Sequence, residues 1–268
     1  MAKKTRKEEH QRRGTDRASS LKEEKGRTVK MVIFDLDDTL FPSSQLSKNA
    51  RIHACEAMIR EGLPARSPLE AQTKLKRIVQ EHGSNYQDHF GKLCESYHIR
   101  PTPKIIAAGI VAYHKIKVAR IDLFPKVQDT LLSLIKEGYR LVLITEGNPI
   151  KQWEKIIRLN IRPYFQTIRA VDSQRPDLKR KAFEDLWIML RKESAGAAGG
   201  ISPKQIVVVG DRLDREISYG NRLGFITVRV LQGRRRARSS ISKREVPTYT
   251  LKEIADLPGL LHRIDPKR

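Results

Sequence analysis

The chain has 268 residues, in which 53 lysines and arginines against 31 aspartates and glutamates give a formal net charge of +22. A chain of this length can bury a substantial core, and we expect one large domain with an insertion. The positive charge favours phosphorylated metabolites, nucleic acid or acidic proteins as partners, whereas the lack of an apolar stretch near the roughly 20 residues of a membrane span argues against a transmembrane helix.

Residues 1–28 contain only one large aliphatic residue, Leu21, and mix charges of both signs. Such a segment buries too little apolar surface to offset the entropy of ordering, so we predict a disordered basic tail over 1–28. A solvated tail is the preferred interpretation, and a nucleic-acid-binding arm is the alternative.

The cysteine content indicates the compartment. Cys55 and Cys94 lie far apart, without the spacing of a metal site, and the sequence shows no secretory signal. Two ordinary buried thiols and a cytoplasmic protein are therefore expected.

Four short apolar runs, rich in β-branched residues, are separated by helical patterns. The runs are VKMVIFDLD (29–37), YRLVLIT (139–145), QIVVVG (205–210) and ITVRVL (226–231), and the helical patterns between and after them cover 127–138, 150–160, 179–193 and 216–224. Continuous apolar runs suit strands that helices cover on both faces. The pattern predicts an α/β fold with a Rossmann-like, doubly wound parallel sheet, and core packing for Trp153 and Trp187 in its amphipathic helices.

The segment from about 45 to 120 interrupts this alternation. It contains helical patterns without a convincing strand, and a glycine-rich stretch at 194–200 predicts a turn later in the chain. We therefore predict an α/β core formed by 29–44 and 121–268, with an all-helical cap domain at 45–120 inserted after the first strand.

Polar side chains follow three of the predicted strands. They are Asp35, Asp37, Asp38 and Thr39 after the first strand, Thr145 and Glu146 after the second, and Asp211, Asp214 and Glu216 after the third. The carboxyl ends of parallel strands lie at one edge of a sheet, so these groups should come together there. Carboxylates at close range repel one another, and a hard divalent cation such as Mg²⁺ would relieve that repulsion.

Three of these segments resemble motifs of the haloacid dehalogenase-like hydrolase superfamily. DLDDT at 35–39 is similar to its DxDxT signature, and LVLITEGN (141–148) and VVVGDRLDREI (207–217) are similar to its second and fourth motifs, in the expected order. With a helical insert after the first motif, the chain looks most like the phosphatase-like members of the subfamily with a helical cap. The resemblance covers about residues 30–260.

The resemblance implies catalytic roles. Asp35 would attack phosphorus to form an aspartyl-phosphate, and Asp37 would protonate the leaving oxygen and then deprotonate water. Because dehalogenases of the family lack the second aspartate, Asp37 favours phosphoryl transfer. Thr145 would contact a phosphoryl oxygen, with Glu146 and Gly147 beside it.

The resemblance also implies a metal site and a basic third motif. Mg²⁺ would be bound by Asp35, the main-chain carbonyl of Asp37, Asp211 and Glu216, with Asp214 as a less favoured alternative. The family places a lysine at the start of a helix near the nucleophile. Lys179 is the preferred candidate for it, and Lys181 and Arg175 remain open.

The predicted function is a magnesium-dependent phosphatase acting on a small phosphomonoester, because a closing cap restricts what can enter. Two alternatives remain. One is a catalytically weak scaffold that binds nucleic acid or an acidic partner, for which the basic loop at 233–245 is the candidate surface, although a solvated loop is the preferred interpretation. The other is a phosphomutase-type transferase. The sequence leaves the particular substrate and the oligomeric state open.

Overall fold

A computed structural model describes residues 29–83, 85–175, 177–194 and 200–265. The predicted tail at 1–28 and most of the glycine-rich stretch lie outside these ranges. Within the described ranges, no helix combines the length and the apolar character needed to cross a lipid bilayer.

A six-stranded parallel sheet forms the centre of the fold. Its strands are β1 (Met31–Phe34), β2 (Arg140–Gly147), β3 (Thr167–Asp172), β4 (Ile206–Gly210), β5 (Ile226–Val230) and β6 (Tyr249–Leu251). They are arranged in the order β3-β2-β1-β4-β5-β6, and every neighbouring pair is parallel. The chain thus builds outward from β1 in both directions, which confirms the predicted doubly wound α/β sheet.

Helices precede or follow most of the strands. They are α1 (Ser43–Arg60), α2 (Pro68–His82), α3 (His89–Glu95), α4 (Pro103–Ala119), α5 (Val127–Lys136), α6 (Pro149–Arg158), α7 (Leu178–Ser194), α8 (Ser218–Arg222) and α9 (Leu257–Ile264), and a π-helical turn, Leu213–Ile217, leads into α8. Local signals explain several of the starts. Ser67 caps α2 by accepting the Glu70 N–H, and Asn148 caps α6 by accepting the Lys151 N–H, in both cases before a proline at the first helical position.

The apolar residues form three clusters. One covers the face of the sheet beneath α5, α6 and α9, and a second covers the opposite face beneath α7. The third lies among α1 to α4 and includes Met58, Leu75 and Leu93, each at most 1% exposed. Helices α1 to α4 lie between β1 and β2 in the chain and bury this cluster of their own.

Two strands and one aromatic residue differ from the sequence-based expectation. β3 and β6 are the two edge strands, and neither shows a continuous apolar run: every residue of β3 is half-buried, and two of the three residues of β6 are exposed. The prediction of core packing is wrong for Trp153, which is 38% exposed on α6. It holds for Trp187, which packs against the core and contacts Phe225 edge to face.

Candidate active site

Three neighbouring strands bring the predicted site residues to one edge of the sheet. β1 lies between β2 and β4, and Phe34, its last residue, pairs in register with Leu143 on one side and Val209 on the other. Asp35 and Asp211 directly follow β1 and β4, and Thr145 lies near the end of β2. The prediction that the three polar groups share one edge is confirmed by this order of strands.

Asp35, Asp211 and Glu216 form a buried carboxylate group. One oxygen from each lies within 4.8 Å of the others, and the three residues are 5%, 4% and 0% exposed. Glu216 reaches the group from the π-helical turn, where it passes directly over Gly210. A Cβ at position 210 would lie 2.8 Å from the Glu216 Cβ, so the backbone here requires glycine.

Lys179 connects two of these carboxylates. It is 2% exposed, its Nζ lies 2.5 Å from Asp35 Oδ1, and it also donates to Glu216 Oε1. Burial lowers the pKa of Lys179, but the two carboxylates outweigh that effect and raise its pKa above the usual value. Arg175 and Lys181, the other two candidates for this position, are exposed. Of the three, Lys179 is the one that contacts Asp35.

The carboxylate group carries more negative charge than its surroundings neutralise. Burial raises the pKa of Asp35 to about 7 against the opposing charge of Lys179, and burial followed by the charges of Glu216 and Asp35 raises the pKa of Asp211 to about 8. Asp211 Oδ1 is buried without a hydrogen-bond partner. Three hard oxygen donors and an unpaired carboxylate oxygen fit a divalent cation such as Mg²⁺.

Asp37 lies in a different electrostatic environment. Burial raises the pKa of Asp37, but the charge and hydrogen bonds of Lys155 outweigh it and hold the pKa below its usual value. Lys155 Nζ lies 2.7 Å from both carboxylate oxygens, and Gln152 Nε2 donates to one of them at 3.1 Å. Gln152 also accepts the hydroxyl of Thr145 at 3.0 Å, so one amide connects Thr145 with Asp37.

The sequence-based reasoning missed Gln152 and Lys155. They lie three residues apart on α6 and so share one helix face, and Gln152 is 3% exposed. The available signal was a polar residue, Gln152, on the same face of this amphipathic helix as Ile156, and that signal does not identify the partner. Gly147 belongs to the same contact, because a Cβ there would lie 2.2 Å from Gln152 Nε2.

The carboxylates of Glu146 and Asp214 pair with arginines and do not join the buried carboxylate group. The Glu146 carboxylate lies 3.6 Å from Arg215 Nη1. Asp214 forms ion pairs with Arg212 at 2.9 Å and with Arg238 at 2.6 Å, and the charges of these arginines hold its pKa below the usual value although burial raises it. Asp214 therefore fixes the basic loop, whereas Glu216 joins the buried carboxylate group.

The comparisons with known proteins agree with this geometry. Residues 29–224 match the family model for haloacid dehalogenase-like hydrolases. A glyceraldehyde 3-phosphate phosphatase of Methanopyrus kandleri is 36% identical over 240 residues, covering 88% of this chain and 98% of the relative. The protein of that description from Pyrococcus furiosus is 35% identical over 242 residues, covering 88% and 95%.

A solved structure shows the same fold. A haloacid dehalogenase-like family hydrolase from Xanthomonas campestris matches with a TM-score of 0.61 at 16% identity, covering 90% of this chain and 93% of the other. The chain belongs to the haloacid dehalogenase-like hydrolase family. Within that family it is a phosphatase, as the named archaeal relatives are.

Proposed function

We propose that this chain is a magnesium-dependent phosphatase that hydrolyses a small phosphomonoester through an aspartyl-phosphate on Asp35. The observation that carries the proposal is the placement of Lys179 between Asp35 and Glu216, beside the unpaired oxygen of Asp211. Glyceraldehyde 3-phosphate, the compound in the relatives' names, belongs to the proposed substrate class.

Asp35 is the proposed nucleophile. Lys179 donates to its Oδ1, and Thr39 donates to its Oδ2 at 3.3 Å, so both carboxylate oxygens are held in a fixed orientation. Attack of one oxygen on phosphorus forms the aspartyl-phosphate and breaks the ester bond, which divides one difficult hydrolysis into two easier steps. Lys179 would contact phosphoryl oxygens as negative charge builds up on them, and the hydroxyl of Thr145, which donates to Gln152 here, would turn to donate to one of them.

Asp37 is the proposed acid and base. The first step needs its protonated form, which donates a proton to the leaving oxygen, and the second needs its ionised form, which takes a proton from the attacking water. Lys155 stabilises the ionised form. It therefore favours the second step and limits the first as the pH rises.

Mg²⁺ would be held by Asp35, Asp211 and Glu216, with the main-chain carbonyl of Asp37 as a further donor. When bound, it supplies positive charge that allows an anionic carboxylate to meet an anionic phosphoryl group. Lys179 would add its own positive charge to that of Mg²⁺, beside Asp35 and Glu216.

The cytoplasm is the proposed compartment. Cys55 and Cys94 are both buried and free. Unpaired buried thiols are the usual state of cysteine in a reducing compartment.

The test is phosphate release from p-nitrophenyl phosphate, glyceraldehyde 3-phosphate and a panel of phosphomonoesters, with Mg²⁺ or with chelator. Asp35→Asn, which keeps the size of the side chain and removes the nucleophile, should lose about a thousandfold or more of kcat. Asp185→Asn, at an exposed acid of α7, is the matched control and should keep wild-type activity. Turnover by folded Asp35→Asn at the rate of the control would rule the mechanism out.

A further inference from the structure

A cavity of about 650 Å³ opens beside the carboxylate group, between α1, α2 and the loop at 232–236. Its lining is strongly basic. Asp38 is the acid among the described lining residues, and its carboxylate is already bonded to the backbone N–H and the hydroxyl of Ser44. The basic lining residues are Lys48, Arg51, Lys76, Arg234 and Arg236.

Two polar side chains in this cavity have no ion-pair or hydrogen-bond partner among the described residues. They are the guanidinium of Arg51, a half-buried residue of α1, and the side-chain amide of Gln72, a residue of α2 that is only 7% exposed. Burial lowers the pKa of Arg51, the nearby Tyr113 opposes that effect, and the positive charge of Arg234 adds to it. A half-buried guanidinium that faces a second cation lacks an anion.

Ion pairs of Arg235 and Arg238, and a hydrogen bond from Arg229 on β5, hold the basic loop in place at this cavity. Arg229 Nη2 donates to the main-chain oxygen of Arg235 at 2.8 Å, Arg235 Nη1 lies 3.7 Å from Asp214 Oδ1, and Arg238 pairs with Asp214 and Glu245. The arginines of this loop therefore have two roles: Arg235 and Arg238 hold the loop in place, and Arg234 and Arg236 line the cavity.

The cavity adjoins the proposed catalytic residues. Gly233 lines it, and a Cβ on Gly233 would lie 2.9 Å from Asp211 Oδ2 and 2.9 Å from the main-chain oxygen of Asp38. No side chain fits there, so glycine lets the loop backbone pack directly against Asp38 and Asp211. The wall of the cavity at Gly233 therefore lies directly beside the carboxylate group.

We infer that this cavity binds a second anionic group of the substrate, a carboxylate or a second phosphate, while the phosphoryl group to be transferred meets Asp35. Arg51 and Arg234 bind the anion and Gln72 donates a hydrogen bond to it. The inference rests on the proposed function and narrows its substrate class to phosphomonoesters with a second anionic group, a feature that glyceraldehyde 3-phosphate lacks.

The first arm of the experiment compares three matched substrates with a common three-carbon chain: n-propyl phosphate, 3-phosphonooxypropanoate and propane-1,3-diyl bisphosphate. Wild-type protein should show kcat/KM at least about tenfold higher for one or both compounds with a second anionic group, mainly through KM, because a charge-assisted hydrogen bond commonly contributes a factor of that size. The carboxylate and bisphosphate arms identify which anion the cavity prefers.

The second arm uses Arg51→Gln and Arg234→Gln, with Arg77→Gln as the matched control. Arg77 is an exposed arginine of α2 outside the cavity, so its substitution removes the same charge from the cap helices. The two cavity variants should lose about tenfold or more in kcat/KM for the preferred compound with a second anionic group, with KM raised and turnover of n-propyl phosphate within about threefold of wild type. The control should match wild type for all three compounds.

The outcomes separate the two proposals. Equal kcat/KM for the three compounds in wild type, or equal losses for all of them in both cavity variants, would overturn the second-anion inference and leave the phosphatase standing. No release from any compound, p-nitrophenyl phosphate included, would overturn the proposed function and this inference with it. Because Arg234 lies on an exposed loop, its variant keeps the test valid if Arg51→Gln does not fold.

Discussion

Lys155 Nζ lies 2.7 Å from both carboxylate oxygens of Asp37, although the two residues are 118 positions apart in the chain. The ion pair joins α6 to the loop after β1 and favours the ionised form of Asp37, the proposed acid and base. Because Lys155 holds the pKa of Asp37 low, the proton needed by a poor leaving group is scarce at high pH.

Lys155→Met should therefore move the alkaline limb of kcat/KM for an alkyl phosphate to higher pH, by about one unit or more. Removing the positive charge raises the pKa of Asp37, so its acid form persists further into the alkaline range. p-Nitrophenyl phosphate, whose leaving group needs little protonation, should show a smaller shift. Lys151→Met, at an exposed lysine one turn earlier on α6, is the control, and an alkaline limb that stays in place or moves down in Lys155→Met would contradict the prediction.

Lys179→Met should reduce stability as well as activity. The substitution leaves Asp35 and Glu216 buried without their shared cation, and breaking a buried ion pair typically costs about 3–5 kcal/mol. Lys181→Met removes an exposed lysine from the same helix and should change the free energy of unfolding by less than about 0.5 kcal/mol. Urea unfolding of both variants in the presence of chelator measures the difference, and equal midpoints would show that the buried contact contributes no net stability.

The central part of the fold could be predicted from the sequence because its strands are continuous apolar runs. β1, β2 and β4 are largely buried. Asp35 and Asp211 directly follow β1 and β4, and Thr145 lies near the end of β2, so the order of these strands brings the three residues together. β3 and β6 were not predicted from the sequence, because an edge strand does not require a continuous apolar run.

The sequence favours Lys179 without excluding Lys181 and Arg175, and it does not reveal the partners of Asp37. Arg175, Lys179 and Lys181 differ in which way the side chain points from a helix start, and that depends on where α7 begins. Gln152, Lys155 and the cavity residues act across elements far apart in the chain, and their contacts depend on how helices pack on the sheet. The local sequence pattern does not reveal how these helices pack on the sheet.

Mg²⁺ should stabilise the protein through Asp211. A ligand at about 100 times its Kd adds about 2.7 kcal/mol to the folded state, so thermal unfolding with saturating Mg²⁺ should occur several degrees higher than with chelator. Asp211→Asn should lose most of this increase, because it removes a carboxylate from the buried group. Asp214→Asn should retain it, because the Asp214 carboxylate is paired with arginines. An increase that survives in Asp211→Asn and disappears in Asp214→Asn would assign the metal to the other acid.

Lys117 should make stability depend on pH above neutrality. The Lys117 ammonium, on α4, donates to Ser47 Oγ at 3.2 Å, and burial, together with the nearby charge of Lys155, lowers its pKa from 10.5 to about 8. Between these two values the unfolded chain binds more protons at this position than the folded chain does. The free energy of unfolding therefore gains a positive slope with pH from about 8 to about 10.5, and the gain is complete above the unfolded pKa.

Urea unfolding at several pH values, on wild type, Lys117→Met and Lys115→Met, isolates this contribution. Lys115 is an exposed lysine of the same helix. The difference in free energy of unfolding between wild type and Lys117→Met should increase in favour of wild type as the pH rises through that window, because the variant has no proton to release there. The difference between wild type and Lys115→Met should stay constant. Parallel curves for wild type and Lys117→Met would mean that the folded protein leaves the pKa of Lys117 at its ordinary value.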